Sequence, residues 1–231
     1  MQKRRLLLFD IDGTLINSGG AGVHALQIAL FERCGIKDDL CDIEIAGRTD
    51  SGIVWQILQK YGTAPTDENV SAFLGDYIRL LSLELPERNG RLLPGILELL
   101  KRLKKNPQLV LALLTGNIAR GAEMKLKHYG IWDFFEFGAF ADDDRDRSKL
   151  GGFAQARALA KYGREFPGAD IDVIGDTPHD IAGGKVINAR TIAVATGSYS
   201  REQLAKHQPD FIFDDLSQVA AVMQQLGWRC D

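Results

Sequence analysis

The sequence predicts an α/β protein in which one helical insertion interrupts a doubly wound parallel sheet. Short apolar segments that end in small or polar residues recur along the chain, and amphipathic helical patterns lie between most of them. Helices cover both faces of a parallel sheet, so its strands consist of continuous apolar runs. The predicted strands are residues 6–10, 109–115, 172–176, 191–196 and 211–214.

Residues 18–88 break this alternation, because they contain helical patterns without a convincing strand. Helices are predicted over residues 22–33, 50–61 and 67–85. The third has an apolar stripe at helical spacing, made of Val70, Phe73, Leu74, Tyr77, Leu80 and Leu81. Glycines on both sides of the interval, such as Gly19 and Gly90, suit turns and hinges. We therefore predict a core of residues 1–17 and 89–231 and a helical cap of residues 18–88.

Composition limits the classes of function. Of the 231 residues, 45% are hydrophobic and 26% are charged, and the net charge is -3, so a nucleic-acid partner is not expected. The cysteines (Cys34, Cys41 and Cys230) are odd in number and lack zinc-site spacing, which favours free thiols in the cytoplasm. The apolar runs are strand-sized, so we expect neither a signal peptide nor a membrane partner. The pattern leaves the oligomeric state open.

Two carboxylates follow the first predicted strand, in the pentad DIDGT at residues 10–14. Side chains at positions i and i+2 of an extended segment point the same way, so Asp10 and Asp12 are expected to face one pocket. Gly13 permits a sharp turn after them. Ligands of doubly wound sheets bind beyond the carboxyl ends of the strands, which is where both carboxylates are expected to lie.

A second candidate site follows the predicted strand at residues 109–115. The hydroxyl of Thr115 and the backbone amides of Gly116 and Asn117 are suited to hold an anion where the next helix begins. Thr115 and Asn117 are also good capping residues for the helix that starts near Ile118. The two roles are compatible, and we expect the three residues to cradle a phosphate.

Four motifs occur in order along the chain: DIDGT at 10–14, TGN at 115–117, a basic pair at 147 and 149, and GDTPHD at 175–180. Together they resemble the motifs of the haloacid dehalogenase superfamily, in its phosphatase branch. A helical cap inserted after the first motif is similar to that of phosphoglycolate phosphatases. The resemblance covers essentially the whole chain and implies a Rossmann-like core.

The resemblance implies roles for the acidic residues: Asp10 as nucleophile and Asp12 as general acid and base. It also implies that Asp10, Asp176 and the backbone carbonyl of Asp12 bind Mg²⁺. A divalent cation is needed because a phosphate dianion repels an attacking carboxylate, and Mg²⁺ prefers oxygen ligands. Asp180 is expected to hold a metal-bound water or to orient its neighbours, with capping of a helix at residues 181–186 as the alternative.

One motif departs from the family pattern, in which a lysine followed by proline stabilises the nucleophile and the phosphate. This chain contains no Lys-Pro pair. Arg147 fits the role best, and Lys149 is the rival. The preceding residues 142–146 are otherwise expected to be a solvated charged run.

In the cap, residues 46–50 precede a helix and resemble the family's substrate-specificity loop. Asp50 is expected to cap that helix. Arg48 is a candidate contact for an anionic group of the substrate, such as a carboxylate. An exposed surface arginine is the alternative.

We therefore predict a magnesium-dependent phosphatase that hydrolyses small phosphomonoesters through an aspartyl phosphate, with 2-phosphoglycolate as the expected substrate by resemblance. A sugar phosphomutase and a non-catalytic binding protein with the same fold are the alternatives. The presence of Asp12 and Asp176 argues against a dehalogenase. A phosphonatase would need a Schiff-base lysine from the cap, for which Lys60 is a weak candidate.

Overall fold

The computed structural model describes residues 4–228 of the chain, and within them six parallel strands form the central sheet. Its order is β5-β4-β1-β6-β7-β8. A separate antiparallel pair joins β2 to β3. The strands are β1 (Arg5–Phe9), β2 (Ile16–Asn17), β3 (Arg91–Leu92), β4 (Leu109–Leu114), β5 (Gly138–Ala139), β6 (Ile171–Gly175), β7 (Arg190–Val194) and β8 (Phe211–Phe213).

All five predicted strands are present, and the predicted fold class is confirmed. The sequence did not predict β5, because a two-residue edge strand is too short for a hydrophobic pattern. It also did not predict the β2–β3 pair, which joins the entry to residues 18–88 with the exit from them.

The order in which the parallel strands are added to the sheet switches sides at β1, and this topology positions the site. From β1 the chain runs through β4 to β5 on one side, and then through β6 and β7 to β8 on the other. Phe9 is in register with Leu113 of β4 and with Ile174 of β6. The residues that follow these three strands therefore meet at one rim, at the point where the strand order switches.

Helices cover both faces of the sheet. Leu7 and Phe9 of β1 pack into one apolar cluster, whereas Leu6 and Leu8 pack into another on the opposite face. The described helices are α1 (Ala21–Cys34), α2 (Asp50–Lys60), α3 (Asp67–Glu87), α4 (Ile96–Leu103), α5 (Ala119–His128), α6 (Leu150–Tyr162), α7 (Pro178–Val186), α8 (Arg201–Ala205) and α9 (Val219–Leu226).

Helices α1, α2 and α3 account for the interval that the sequence assigned to a cap, and each agrees with its predicted range within two residues at either end. Their buried side chains form an apolar cluster, to which Ile118 and Ala141 also belong. This cluster supports the division into core and cap, which remains a prediction.

Two further expectations concern single features. Cys34 and Cys41 are exposed free thiols, while Cys230 lies outside the described residues. Among residues 4–228, the helices are too short or too polar to cross a membrane.

Candidate active site

The segment after β1 turns sharply against the segment after β6. The amide of Asp10 donates to the carbonyl of Ile174 at 2.9 Å, which extends the sheet by one residue. Gly13 has a φ of 82°, and a Cβ there would lie 2.3 Å from Oδ2 of Asp176. The hydroxyl of Thr14 donates to Oδ1 of Asp176 at 3.1 Å. Only glycine fits at position 13, and the turn brings Asp176 toward Asp10.

Three buried carboxylates gather at this rim: Asp10, Asp176 and Asp180. One oxygen of each lies within 4.8 Å of the others. Burial raises the pKa of Asp10 to about 6; Arg147 opposes that rise and Asp180 adds to it. Burial and the neighbouring Asp10 also hold the pKa of Asp176 well above its ordinary value. The oxygen donors and their excess negative charge fit a magnesium ion.

The structure places the two candidate cations differently. The guanidinium of Arg147 lies 3.0 Å from Oδ1 of Asp10 and also pairs with Asp180, and 9% of its side chain is exposed. The ammonium of Lys149 pairs with Asp144 at 2.9 Å, and 60% of its side chain is exposed. Arg147 is therefore the cation beside the predicted nucleophile, and Lys149 belongs to the surface.

Asp180 connects α7 to this arginine. Its Oδ2 accepts from the amide of Thr177 at 3.0 Å and from the hydroxyl of Thr177 at 2.7 Å, while its Oδ1 pairs with Arg147. The carboxylate thus caps the helix and orients a neighbour. The capping role is observed, although α7 begins at Pro178 with Thr177 as its N-cap, and a role in holding a metal-bound water stays a prediction.

Thr115, Gly116 and Asn117 lie where the sequence predicted, after β4. Thr115 and Asn117 are buried, and a Cβ at Gly116 would lie 2.0 Å from the carbonyl oxygen of Arg48. The alternative role, capping of α5, is not the one these side chains take. The amide of Ile118, the N-cap residue of α5, donates to Asp50 at 2.8 Å, and the amide of Ala119, its first residue, donates to Asp142 at 2.5 Å.

Asp12 lies near the Thr115–Gly116–Asn117 loop and contacts Lys125, a residue that the sequence analysis missed. Lys125 of α5 donates from Nζ to Oδ2 of Asp12 and to Oδ1 of Asn117, both at 2.6 Å. Burial alone would raise the pKa of Asp12, but the ammonium of Lys125 and hydrogen bonds from Lys125 and Asn117 hold it below its ordinary value. The sequence did contain a sign that Lys125 is buried, because it lies on the apolar stripe of α5 with Ala122 and Leu126.

The first residues of α2 dock onto the core. Thr49, rather than Asp50, is the N-cap of α2, so the expected capping role of Asp50 is wrong. The amide of Asp50 donates to the carbonyl of Gly116 at 2.7 Å, and its carboxylate accepts from Ile118. The hydroxyl of Thr49 donates to the carbonyl of Arg145 at 2.6 Å. Asp50 thereby tethers α2 to the Thr115–Gly116–Asn117 loop.

Arg48 lines the cavity, but its guanidinium is paired. Its Nε donates to Oε2 of Glu44 at 2.8 Å, and Oε1 of Glu44 lies 3.1 Å from His179. The side chain of Arg48 is 45% exposed. Both expectations for Arg48 therefore remain open, since it is exposed and also faces the cavity.

A cavity of about 430 Å³ joins these residues. Its polar wall comes from the segments after β1, β4 and β6, and its apolar wall comes from Val23, Leu26, Ile45, Ile53 and Tyr77. A further wall, residues 196–198, was missed by the sequence analysis. A Cβ at Gly197 would lie 1.7 Å from Oδ2 of Asp176, so glycine is required there as well.

The chain belongs to the family of haloacid dehalogenase-like hydrolases, whose sequence profile matches residues 7–194. It is 28% identical over 226 residues to IndB of Dickeya dadantii, described as a probable phosphatase, with 96% of this chain and 94% of that protein covered. It is 29% identical over 223 residues to the pyrophosphatase PpaX of Bacillus pumilus, with coverages of 94% and 95%. The family and the enzyme class predicted from the sequence, a phosphatase, are confirmed.

The fold has solved counterparts. A crystal structure from Haemophilus somnus, of a predicted phosphoglycolate phosphatase, superposes with a TM-score of 0.71 at 21% identity and covers 97% of this chain and 100% of that one. At that identity the likeness concerns the fold.

Proposed function

We propose that this hydrolase is a magnesium-dependent phosphatase of small phosphomonoesters that works through an aspartyl-phosphate intermediate. The observation that carries the proposal is the position of Asp10. Its buried carboxylate lies between the Arg147 guanidinium and Asp176, on the wall of a cavity that also contains Asp12. A carboxylate held between a cation and other carboxylates is suited to attack a phosphate whose charge is offset.

In the first half-reaction, an oxygen of Asp10 forms a bond to phosphorus while the bond from phosphorus to the leaving oxygen breaks. Asp12 gives a proton to that oxygen, so the product leaves as an alcohol. Because Lys125 keeps Asp12 ionised in the free protein, Asp12 takes this proton up from solvent when the phosphate dianion enters the site. Thr115 and the amides that follow it bind phosphoryl oxygens.

In the second half-reaction, a water oxygen attacks phosphorus, and Asp12 takes a proton from that water. The bond between phosphorus and the Asp10 oxygen then breaks, which releases inorganic phosphate and restores the Asp10 carboxylate. Arg147 stays beside Asp10 in both steps and offsets the charge that builds up on the phosphoryl group. Asp180 holds Arg147 in that position.

Asp10, Asp176 and the backbone carbonyl of Asp12 would hold Mg²⁺, and the structure brings Asp180 close enough to join them. When bound, the ion would offset the phosphate charge and orient the phosphate for in-line attack. Burial, and to a lesser extent the neighbouring carboxylates, raise the pKa values of Asp10 and Asp176, and a bound cation would offset this negative charge.

The substrate is expected to be small, because the cavity is about 430 Å³ and is partly lined by apolar side chains of the helical insertion. Arg48 would contact an anionic group of the substrate after it leaves Glu44. 2-Phosphoglycolate, the substrate implied by the motif resemblance, carries such a group. Pyrophosphate, for which the Bacillus pumilus relative is named, is a second substrate to test.

Two alternatives from the sequence differ in their support. Lys60, the candidate Schiff-base lysine of a phosphonatase, pairs with Asp42 at 2.6 Å and with Asp38 at 3.2 Å and lies outside the cavity. A sugar phosphomutase would use the same core, and no specific contact favours it among the described residues. The cytoplasmic location remains a prediction.

The test is phosphate release from a panel that contains 2-phosphoglycolate, sugar phosphates, glycerol phosphate and pyrophosphate. Each is assayed with MgCl₂ and with excess EDTA, with wild-type protein and with Asp10→Asn. We expect release that requires Mg²⁺ and is lost in Asp10→Asn. Asp76→Asn, which removes a carboxylate paired with Arg33 on the surface of α3, is the matched control and should keep wild-type activity. Undiminished release by Asp10→Asn would refute the proposal.

A further inference from the structure

Lys125 is a buried cation on a face of α5 that is otherwise apolar. Only 4% of its side chain is exposed, although Ala122 and Leu126 beside it pack into the main apolar cluster. An ammonium group in such a position is unfavourable unless charged or polar partners surround it. Its neighbour Lys127 is ordinary by comparison, because 61% of that side chain is exposed.

The partners of Lys125 belong to the predicted catalytic machinery. Its ammonium donates to Oδ2 of Asp12 and to Oδ1 of Asn117, each at 2.6 Å. Nδ2 of Asn117 in turn donates to the same Oδ2 of Asp12 at 2.9 Å and to the hydroxyl oxygen of Thr115 at 2.9 Å. An ammonium group can only donate, so it fixes which way the amide of Asn117 faces. Lys125 therefore sets the orientation of both Asp12 and Asn117.

The arrangement also connects two halves of the site. Asp12 follows β1, whereas Thr115 and Asn117 follow β4, and the loops are joined through this ammonium and the amide beside it. The hydrogen bonds from Lys125 and Asn117 to Asp12 fall on the same oxygen, Oδ2. They fix the position of that oxygen, and proton transfer needs a carboxyl group held within hydrogen-bond reach of the reacting oxygen.

We propose that Lys125 is a positioning residue of the reaction: it holds Asp12 in the orientation needed for proton transfer and ties it, through Asn117, to the phosphate-binding loop. The inference rests on the proposed function. It predicts that loss of Lys125 impairs the steps that use Asp12 and leaves the attack by Asp10 on a good leaving group largely intact.

Two substrates separate these steps. The leaving oxygen of p-nitrophenyl phosphate departs without a proton, whereas the alkoxide of glycerol phosphate needs one. Lys125→Met keeps the length and apolar stem of the side chain and removes its donors. We expect kcat for glycerol phosphate to fall about 100-fold with KM changed less than about threefold. The pre-steady-state burst of p-nitrophenolate should keep its rate within about fivefold, followed by slow turnover, because dephosphorylation also uses Asp12.

Three comparisons complete the experiment. Lys127→Met, two residues away on the same helix, should match the wild type with both substrates. Lys125→Gln keeps one donor for Asp12 and should recover part of the lost kcat, and it provides the same comparison if Lys125→Met does not fold. In an Asp12→Asn background, Lys125→Met should cause little further loss, because the two residues act as a unit.

Several results would overturn the inference. A loss confined to KM would make Lys125 a substrate contact. An equal loss in the burst and in glycerol phosphate turnover would make it a structural residue. Wild-type kinetics of Lys125→Met with both substrates would show that Lys125 has no role in the reaction. In each of these cases the wild type is active and the proposed function stands; a wild type that hydrolyses neither substrate would refute both.

Discussion

At the scale of single residues, burial decides which of two nearby cations serves the site. Arg147 and Lys149 are two positions apart in a charged run, and both types bind phosphate. Arg147 lies in the first turn before α6 and points inward between two buried carboxylates, whereas Lys149 pairs with Asp144 at the surface. The guanidinium is permanently charged and planar, which suits contact with a carboxylate and a phosphate together.

We expect Arg147→Met to lower kcat/KM about 100-fold or more, because it removes the positive charge beside Asp10. Lys149→Met, the matched control, should stay within about threefold of the wild type, since its ion pair is exposed. Steady-state assays with the preferred substrate of the panel measure both, and circular dichroism checks that each variant is folded. Equal losses in the two variants would contradict this assignment.

At the scale of elements, the start of α2 is where the helical insertion forms hydrogen bonds to the core. Asp50 tethers α2 to the segment after β4 by two hydrogen bonds: its amide donates to the carbonyl of Gly116, and its carboxylate accepts from the amide of Ile118. Burial raises the pKa of this carboxyl group to about 6; Lys125 opposes the rise, and Asp12 adds to it. The tether thus includes a carboxylate that is unfavourable in its ionised form.

This raised pKa gives a pH-dependent prediction. The folded protein holds a proton on Asp50 more tightly than the unfolded chain does, so the contribution of Asp50 to stability falls as pH rises from about 4 to about 6. Asp50→Asn removes that loss and keeps an acceptor for the Ile118 amide. We expect its stability relative to the wild type to improve by up to about 3 kcal/mol across this window and then to level off.

Urea unfolding at several pH values between 4 and 8 measures the difference. Asp76→Asn on the surface of α3 is the control, and its difference from the wild type should vary little with pH because its ion pair is exposed. A stability difference for Asp50→Asn that does not change between pH 4 and pH 6 would contradict the prediction.

At the scale of the whole molecule, the sequence determines more of the fold than of the site. The five long strands and the helices of the insertion were predictable because apolar runs and helical stripes are properties of local sequence. The parallel order followed from the same alternation. Strand β5 and the β2–β3 pair were not predictable, since pairs of residues carry no periodicity and depend on partners far along the chain.

The positions of Asp10, Asp12, Thr115 and Asp176 at one rim were predictable from strand ends and motif order. The contacts that complete the site were not. Lys125 reaches Asp12 across 113 positions in sequence, and Gly197 meets Asp176 through a loop without a recognisable motif. The one local sign of the Lys125 contact was a lysine on the apolar stripe of α5, and that pattern does not predict which residue the lysine contacts. Such contacts are tertiary, so only the folded chain reveals them.

The most direct test of the central claim is to trap the phosphorylated carboxylate. Asp12→Asn should still be phosphorylated by p-nitrophenyl phosphate and should release phosphate slowly, because it lacks the base for the second half-reaction. Rapid acid quench in the presence of Mg²⁺, followed by borohydride reduction and peptide mass spectrometry, should reveal homoserine at position 10. An unmodified Asp10, with turnover continuing or with the phosphate on another residue, would contradict the account.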